Sequence, residues 1–388
     1  IHLKGSGKTP FSRSGDGRAT LGPVLREYII SEYMNSINIP TTRSLAAITT
    51  GEKVVRERIL PGAILVRIAN SHVRVGTFQY FAARQMTKEI KILADYIIER
   101  HFKLSLSSKN IYEKFLMEII KSQANLISKW MSAGFIHGVM NTDNTCLSGE
   151  TIDYGPCAFL DNFDYNKVFS SIDYQGRYSY KNQPNIILWN LTRFAETILP
   201  LIDNNLNKSI KKAEEILNEF ASIYESNWIS IMGYKLGIDE ANKTDKNLIE
   251  EFLTLMQNQQ LDFTNSFYSL SFLIEKDQIE KEGPPKSHRI YSKIKSSDWY
   301  AKWTKRLNIN KKNLKKILKT LLINNPSIIP RNHIVEKVLN DAIYENKKDS
   351  LNDFLNALND PYKLRTFDDP YTKPPSPNEE VTQTFCGT

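Results

Sequence analysis

Cysteine is scarce in this sequence, and a long apolar run is missing. The 388 residues include three cysteines, Cys146, Cys157 and Cys386, which are too few and too scattered for a disulfide framework or a CxxC metal site. The most apolar short run, residues 63–66, is followed at once by Arg67, so nothing approaches the roughly 18–20 apolar residues of a membrane-spanning helix. We therefore expect a soluble chain without a membrane partner, in a reducing compartment.

The charge excess is small, and the sequence has no internal repeat or low-complexity tract. Lys and Arg total 51 against 43 Asp and Glu, which gives a net charge of +8. A nucleic-acid partner requires clustered cations that neutralise phosphates. The densest cluster, Lys311 to Lys319, alternates with leucine and isoleucine at helical spacing, which is typical of the solvated face of a helix. We therefore predict no nucleic-acid partner.

Two kinds of pattern divide the chain. Up to about residue 80, strand-like segments at 1–4, 44–49 and 62–69 surround one helix that Pro23 is placed to open. Helical periodicities then dominate, at 87–101, 108–133, 186–206, 208–232, 244–259, 262–274, 310–322 and 331–346. The pattern predicts an α+β protein with a mixed lobe at residues 1–80, a helical lobe at 81–358 and an extended tail at 359–388.

A polar island interrupts the helical region at residues 134–185. It is rich in Gly, Asn, Asp and Tyr and contains a strand-like segment, Glu150–Asp153. An irregular polar stretch of about fifty residues inside a helical domain is more often functional than accidental. We therefore expect functional residues in this island.

Residues 5–9, Gly-Ser-Gly-Lys-Thr, are similar to part of a Walker A loop, whose glycines and lysine wrap phosphates. The leading glycine of that motif would fall at His2, and Pro10 directly follows Thr9. Because the match is incomplete, we do not predict a P-loop.

A better-supported pattern begins at His137. Protein kinases use H-R-D-x-x-x-x-N followed by D-F-G, in which the Asn and the second Asp hold Mg²⁺ on the nucleotide phosphates. His137 and Asn144 have the same spacing, and Asp153-Tyr154-Gly155 begins nine residues after Asn144. Val139 stands where a kinase has its catalytic Asp, and its side chain cannot accept a proton. The pattern predicts a kinase-like nucleotide site that lacks the base for ordinary phosphorylation.

The other parts of such a site are also available. A kinase needs a strand Lys on the phosphates and a Glu from the small-lobe helix to hold it, and Lys4 and Glu27 fit these roles in type and order. Arg67 and Arg74 lie where a small lobe faces its cleft, and guanidinium groups suit phosphate oxygens. Structural ion pairs are the alternative for both arginines. Asp16-Gly17 is a plausible turn, without a local sign of ligand contact.

Three long strings of residues resemble the selenoprotein O family. They are residues 3–18 (LKGSGKTPFSRSGDGR), residues 71–78 (SHVRVGTF) and the segment from His137 through Pro156. The similarity runs from Lys4 to Cys386 and includes Gln175–Tyr180. Because these strings are long and unusual, the resemblance is specific.

The resemblance implies a pseudokinase with a protein-kinase-like bilobal fold. Such an enzyme binds ATP in a reversed orientation and transfers AMP to Ser, Thr or Tyr hydroxyls of proteins, with release of pyrophosphate. Mg²⁺ is the implied metal, with Mn²⁺ as the alternative. The site residues implied by motif are Lys4, Asp16, Gly17, Arg67, Arg74 and Asp153 for ATP, Glu27 for an ion pair with Lys4, Asn144 and Asp153 for the metal, and Asp143 as the catalytic proton acceptor.

The sequence departs from the family pattern in two places. The glycine-bearing segment that precedes the Lys4 strand in the family is absent, so a catalytically silent ATP-binding scaffold is the alternative function. Bacterial relatives carry, at the place of Phe169, a Cys that can pair with one near the C-terminus. Here Cys386 is either unpartnered or paired with Cys157. The start at Ile1 predicts a fragment, and we expect the cytoplasm for a bacterial protein and mitochondria for a eukaryotic one, with the cytoplasm favoured.

Overall fold

Residues 2–68 form an antiparallel sheet with one long helix against it. The computed structural model describes residues 1–10, 12, 15–274, 289–345 and 347–385. Strand β4 (Ile59–Ile68) is central in a four-stranded sheet and pairs with β1 (His2–Lys4), β2 (Ala19–Thr20) and β3 (Arg43–Val55). Helix α1 (Leu21–Ser36) connects β2 to β3 and packs on this sheet.

The register of β1 against β4 places charged side chains on the face that α1 covers. His2 is opposite Arg67, and Lys4 is opposite Leu65. Side chains of directly opposed residues lie on one face, and alternate residues of a strand share that face. Leu65 is fully buried there, in a small core with Val24 of α1. Lys4 and Arg67 therefore point to the same side as Leu65, toward α1.

Helices make up most of the remaining described chain. They are α2 (Val75–Ala82), α3 (Thr87–Ile97), α4 (Ile111–Ala133), α5 (Gln183–Ile202), α6 (Leu206–Lys235), α7 (Lys246–Gln259), α8 (Phe263–Ile274), α9 (Arg289–Lys295), α10 (Asp298–Leu307), α11 (Leu314–Asn324), α12 (Asn332–Tyr344) and α13 (Asp349–Leu358). A π-helical turn follows α3 at Ile98–Phe102, and β5 (Phe135–Ile136) pairs with β6 (Ala158–Phe159). None of these helices combines the length with the apolar character that crossing a bilayer would require, as far as the described residues extend.

Two large apolar cores hold the helices. The first surrounds α4, which packs between α5 and α6, and in it Phe194 contacts Phe78 and Phe115 edge to face. The second lies among α6 to α11 and contains the stacked pair Trp299 and Trp303. Because aromatic side chains bury large areas, these cores fix the helices that flank the polar island.

The predicted α+β class is confirmed as a mixed fold with a mainly helical bulk. The predicted helices are present, with ends within about four residues of those expected, and α1 begins at Leu21, which puts Pro23 in its first turn. Helices α2, α9, α10 and α13 were not predicted. The strand expected at Glu150–Asp153 is wrong: Thr151 forms only an isolated bridge to Thr41, and Asp153 has a φ of 63°, which ends an extended run.

Candidate active site

Five charged side chains from distant parts of the chain meet at one point. Asp153 Oδ1 accepts hydrogen bonds from Lys4 Nζ at 2.9 Å and from Arg67 Nη2 at 2.7 Å. Glu27 accepts from the same two cations, through Oε2 from Lys4 at 2.7 Å and through Oε1 from Arg67 Nε at 2.9 Å. Arg74 Nη2 lies 3.5 Å from Asp153 Oδ2. We call Lys4, Glu27, Arg67, Arg74 and Asp153 the Asp153 cluster.

The charges in this cluster hold one another in the ionised state. Burial would raise the pKa of Asp153, but Arg67, Lys4 and Arg74 outweigh it and hold the pKa of this carboxyl well below its usual range. Burial likewise opposes the charge of Glu27, yet Arg67 and Lys4 lower the pKa of Glu27. Burial opposes the charge of Lys4 too, and Asp153 and Glu27 overcome it, so that the pKa of Lys4 is raised. All of these groups are therefore charged at neutral pH.

The Asp153 cluster has more cations than carboxylates, and some of its donors are unused. Nη1 of Arg67 and Nε of Arg74 are buried without a hydrogen-bond partner among the described residues. A buried N–H group without a partner costs about 1–3 kcal/mol, so native proteins rarely leave such groups unsatisfied. Glu27 and Arg67 are nearly inaccessible, whereas about a fifth of the side chains of Lys4 and Asp153 is exposed. The unused guanidinium donors and the partial exposure of Lys4 and Asp153 fit an anionic ligand that approaches from the side where these two residues reach solvent.

Local strain and two backbone hydrogen bonds position Asp153. Its left-handed φ of 63° is unusual for a residue other than glycine. On the preceding residue, the Ile152 carbonyl lies 2.8 Å from Nε2 of His137, and His137 stacks on Trp130. Thr151 N donates to the Pro40 carbonyl at 2.9 Å. The histidine of the kinase-like motif thus positions the segment that carries Asp153, a role that spacing alone did not reveal.

Backbone pairing also places Arg74 beside residues 145–147, which directly follow Asn144 of the kinase-like motif. Val75 N donates to the Thr145 carbonyl and Leu147 N to the Val73 carbonyl, each at 3.0 Å, and Arg74 forms an isolated antiparallel bridge with Cys146. The 3₁₀ turn Thr142–Asn144 directly precedes this pairing. Arg74, at the N-cap of α2, therefore lies between that turn and Asp153.

Asp143 lies against the first turn of α2. A Cβ atom added at Gly76 would lie 2.0 Å from Oδ1 of Asp143, so the carboxylate would have to move to make room for it. Asp143 N is held by Oδ1 of Asn141 at 2.9 Å. The absence of a side chain at Gly76 thus lets the Asp143 carboxylate lie close to the first turn of α2.

Asn144 and Asp153 carry oxygen donors of the kind that a divalent metal takes. Nδ2 of Asn144 donates to the Val139 carbonyl at 2.9 Å, which leaves its oxygen as the atom for a cation. No group of three or more His, Cys, Asp or Glu side chains in the described ranges could hold a metal without other ligands. Mg²⁺ commonly uses one or two protein oxygens together with substrate phosphates and waters, so the present donors fit such an ion.

Asp16 and Gly17 lie in a different environment. Both carboxylate oxygens of Asp16 accept from Arg56 at 2.9 Å. Hydrogen bonds from the Arg56 side chain and from Arg18 N lower the pKa of Asp16 to about 2. Gly17 has a φ of 69°, and its carbonyl accepts from Gly7 N at 3.0 Å. The two residues close the loop after β1, and Asp16 is paired with Arg56 and not with the Asp153 cluster.

One supporting residue of this region was missed by sequence reasoning. Arg26, next to Glu27 on α1, is buried and donates to the carbonyls of Gly155 at 3.2 Å and Cys157 at 2.7 Å. It also donates to Glu336 at 3.0 Å. An isolated arginine in a helix gives no sequence signal for such backbone contacts.

The C-terminal tail packs behind the Asp153 segment. Thr384 N donates to the Phe169 carbonyl at 2.7 Å, and its hydroxyl donates to the Pro156 carbonyl at 2.6 Å. Cys157 is a free, buried thiol, and burial raises its pKa to about 12. Cys157 is therefore not paired in this structure, and Cys386, whose partner the sequence left open, lies outside the described residues.

Comparison with known proteins places this chain in a family. The family model for protein adenylyltransferase SelO matches residues 1–359. The chain belongs to the SelO family of protein adenylyltransferases. The predicted family and the predicted class of enzyme, a protein nucleotidyltransferase, are confirmed.

Curated bacterial relatives of this SelO-family chain carry the name protein nucleotidyltransferase YdiU. The protein of Clostridium botulinum (strain 657 / Type Ba4) is 50% identical over 388 residues, which are 100% of this chain and 77% of the relative. That of Bacillus cereus (strain ATCC 14579) is 48% identical over 100% of this chain and 78% of the relative. That of Clostridium perfringens (strain ATCC 13124) is 49% identical over 100% and 77%.

Proposed function

We propose that this SelO-family chain transfers AMP from ATP to Ser, Thr or Tyr hydroxyls of proteins and releases pyrophosphate. The Asp153 cluster supports this proposal most directly, because three cations meet one outward-facing carboxylate beside two unused guanidinium donors. Val139 stands where a kinase base belongs, which disfavours phosphorylation of a hydroxyl. The relatives are named as transferases, so we favour an enzyme over a silent scaffold.

Each charged group has a role in the proposed reaction. The acceptor oxygen forms a bond to the α-phosphorus while the bond from that phosphorus to the pyrophosphate oxygen breaks. Lys4, Arg67 and Arg74 stabilise the negative charge that accumulates on the departing pyrophosphate. Asp143 accepts the proton of the attacking hydroxyl. Mg²⁺ or Mn²⁺, held by Asn144 and Asp153, supplies further charge neutralisation when it is bound.

Glu27 and Asp16 have more indirect roles in this proposal. Glu27 contacts Lys4 and Arg67 and therefore orients two of the phosphate-binding cations. Asp16 and Gly17 contact the nucleotide from the loop after β1. Because Asp16 is paired with Arg56, it must share or release that arginine to do so, and we expect it to contribute less than Asp153.

The proposed architecture is that of a protein kinase. Residues 1–80 form the small lobe, residues 81–358 the helical lobe and residues 359–388 the tail. A sheet with one helix that supplies the Glu partner of a strand Lys supports this assignment. We also propose a cytoplasmic location, because the relatives compared above come from bacteria.

Labelled ATP tests the reaction type. The chain is incubated with ATP labelled at the α- or the γ-phosphate, with Mg²⁺ or Mn²⁺, and with a mixture of acceptor proteins. We expect protein-bound label from the α-position alone, at hydroxyl side chains identified by mass spectrometry. Label from the γ-position would identify a kinase, and binding of ATP without any transfer would identify a scaffold. Asp153→Asn serves as the inactive control.

A further inference from the structure

A cavity lies among the ends of several helices, apart from the Asp153 cluster. It measures about 230 Å³ and is lined by the last turns of α1, α4, α6 and α11 and by the start of α8. Tyr33, Lys235 and Phe263 are among its buried lining residues, whereas Asn38 and Ile323 are exposed and lie at its opening. Its volume is several times the roughly 30 Å³ of a water molecule. We call it the Lys235 cavity.

Lys235 is a buried lysine that pairs with no Asp or Glu among the described residues. Only 6% of the residue is exposed, and within the described ranges it forms no ion pair with Asp or Glu. Its Nζ lies 4.4 Å from the ring centroid of Phe267 and 5.8 Å from that of Phe263. Lysine is almost never fully buried unless it is paired. Contact with aromatic rings replaces only part of the hydration that an ammonium group loses.

The helix ends do not use this ammonium group as a cap. Cations commonly lie at helix C-termini because the last carbonyls there lack partners. Here the Lys235 carbonyl accepts from Asn325 Nδ2 at 2.9 Å. At the end of α1, Ile37 N and the Ser36 hydroxyl donate to the Tyr33 carbonyl at 3.1 and 2.8 Å. Other donors therefore already satisfy these carbonyls, and a capping role does not explain Lys235.

A second lysine lines the same cavity, and none of the described lining residues is acidic. Lys129 is half-buried on α4 and donates to the Asn38 carbonyl at 2.7 Å. The other polar lining groups are hydroxyls and amides, from residues such as Ser132, Thr264 and Asn324. Two cations and several neutral donors without a carboxylate form an environment that suits an anion.

We propose that Lys235, assisted by Lys129, binds a small oxyanion of the phosphate or carboxylate class in this cavity. The site is separate from the proposed nucleotide site and does not depend on it, because none of its lining residues belongs to the Asp153 cluster. The ammonium group of Lys235 donates to the anion oxygens, and the anion replaces the missing counter-ion.

Such binding has a characteristic pH dependence. Burial lowers the pKa of Lys235 to about 7, and an anion binds the protonated form, so affinity falls as the pH rises through 7. The other titratable lining groups are Lys129, whose pKa burial also lowers, and the tyrosines Tyr33, Tyr234 and Tyr362. Burial raises the pKa of Tyr33 well above its usual range and that of Tyr362 to about 12.

Equilibrium dialysis with labelled sulfate tests the proposal, since sulfate is tetrahedral and does not titrate near neutrality. All proteins carry Arg74→Gln to weaken anion binding at the Asp153 cluster. We expect one sulfate site whose Kd rises roughly tenfold from pH 6 to pH 8, as a pKa of about 7 requires. Labelled acetate in parallel distinguishes a phosphate-like from a carboxylate ligand: the tighter of the two identifies the class.

Variants of Lys235 separate this site from others. Lys235→Met should abolish the site, and Lys235→Arg should retain sulfate binding with a flat pH profile, because arginine stays charged. Lys315→Met, at an exposed position, is the matched control and should behave like the parent. Equal binding by Lys235→Met and the parent, or no binding of either anion, would overturn the proposal. If Lys235→Met does not fold, the pH profiles of the parent and of Lys235→Arg decide. No AMP transfer is measured, so failure here is distinct from failure of the proposed function.

Discussion

Nζ of Lys4 lies 2.9 Å from Oδ1 of Asp153, although 149 positions separate the two residues in the sequence. An amine from the first strand and a carboxylate from the polar island therefore meet at one point. The proposed nucleotide site requires this proximity, because the lysine must reach the same phosphates as the metal that Asp153 is proposed to hold.

Replacement of Asp153 by Asn should reduce AMP transfer by more than about 100-fold, because it removes a proposed metal ligand and leaves three cations around a neutral amide. Asp16→Asn is the matched control. It should cost less than about tenfold, since Asp16 is paired with Arg56 on an exposed turn. Transfer of α-labelled phosphate at saturating ATP measures both. Equal losses in the two variants would contradict the assignment of Asp153.

Gly76→Ala should lower kcat by at least about tenfold, because displacement of a reacting group by about 1 Å is costly. The added Cβ would lie 2.0 Å from Asp143 Oδ1 and must push that carboxylate away. The KM for ATP should change little. Gly22→Ala is a suitable control, because its Cβ would meet only the flexible end of Ile343, at 3.2 Å. An effect of Gly76→Ala on KM alone would argue against Asp143 as the proton acceptor.

Arg67→Met should lower the free energy of unfolding by about 3–5 kcal/mol, the usual cost of breaking a buried ion pair. Glu27 and Asp153 would then share Lys4 as their nearest cation, in a region where Arg67 is 1% exposed. Arg43→Met removes a surface pair with Glu32, in which the Arg43 side chain is 48% exposed, and should cost less than about 1 kcal/mol. Urea denaturation of both variants measures the difference, and similar losses would refute a stabilising role for the buried pair.

The chain should lose stability in acid through the Asp153 cluster. The pKa values of Asp153 and Glu27 are lowered from ordinary values of 3.8 and 4.5. Their contribution is therefore complete above about pH 4.5 and is lost as the pH falls toward the lowered values. The pKa of Lys4 is raised, so its contribution is lost only in strong alkali. Urea unfolding from pH 7 to pH 3 should show a steeper decline for the parent than for Glu27→Gln, and parallel curves would contradict this.

Much of the Asp153 cluster could be predicted because its members follow a fixed order of residue types along the chain. A lysine on the first strand, a glutamate on the following helix and the Asn144 and Asp153 pair in the island are visible without coordinates. The environment of Asp16 could not be predicted, because its pairing with Arg56 depends on how the loop after β1 meets the connection between β3 and β4. Sequence order specifies which residues are available, and long-range register determines which of them touch.

Helices were predicted where an apolar stripe continues over several turns, as in α4 and α6. Helices α9 and α10 were missed because each is short. The packing of Trp299 and Trp303 in the second core supports α10 more than its own periodicity does. The island strand was expected from the alternation in Glu150–Asp153. The strand does not form, and Asp153 instead has a left-handed backbone conformation, which residue type alone does not predict.

Consecutive residues of α1 hold the Asp153 segment from two directions, Glu27 through the shared cations and Arg26 through the carbonyls of Gly155 and Cys157. Movement of α1 away from the sheet would separate Glu27 from Lys4 and would also break the hydrogen bonds from Arg26 to the carbonyls of Gly155 and Cys157. Displacement of α1 is thus expected to disturb the proposed nucleotide site at Lys4 and at the backbone after Asp153 together.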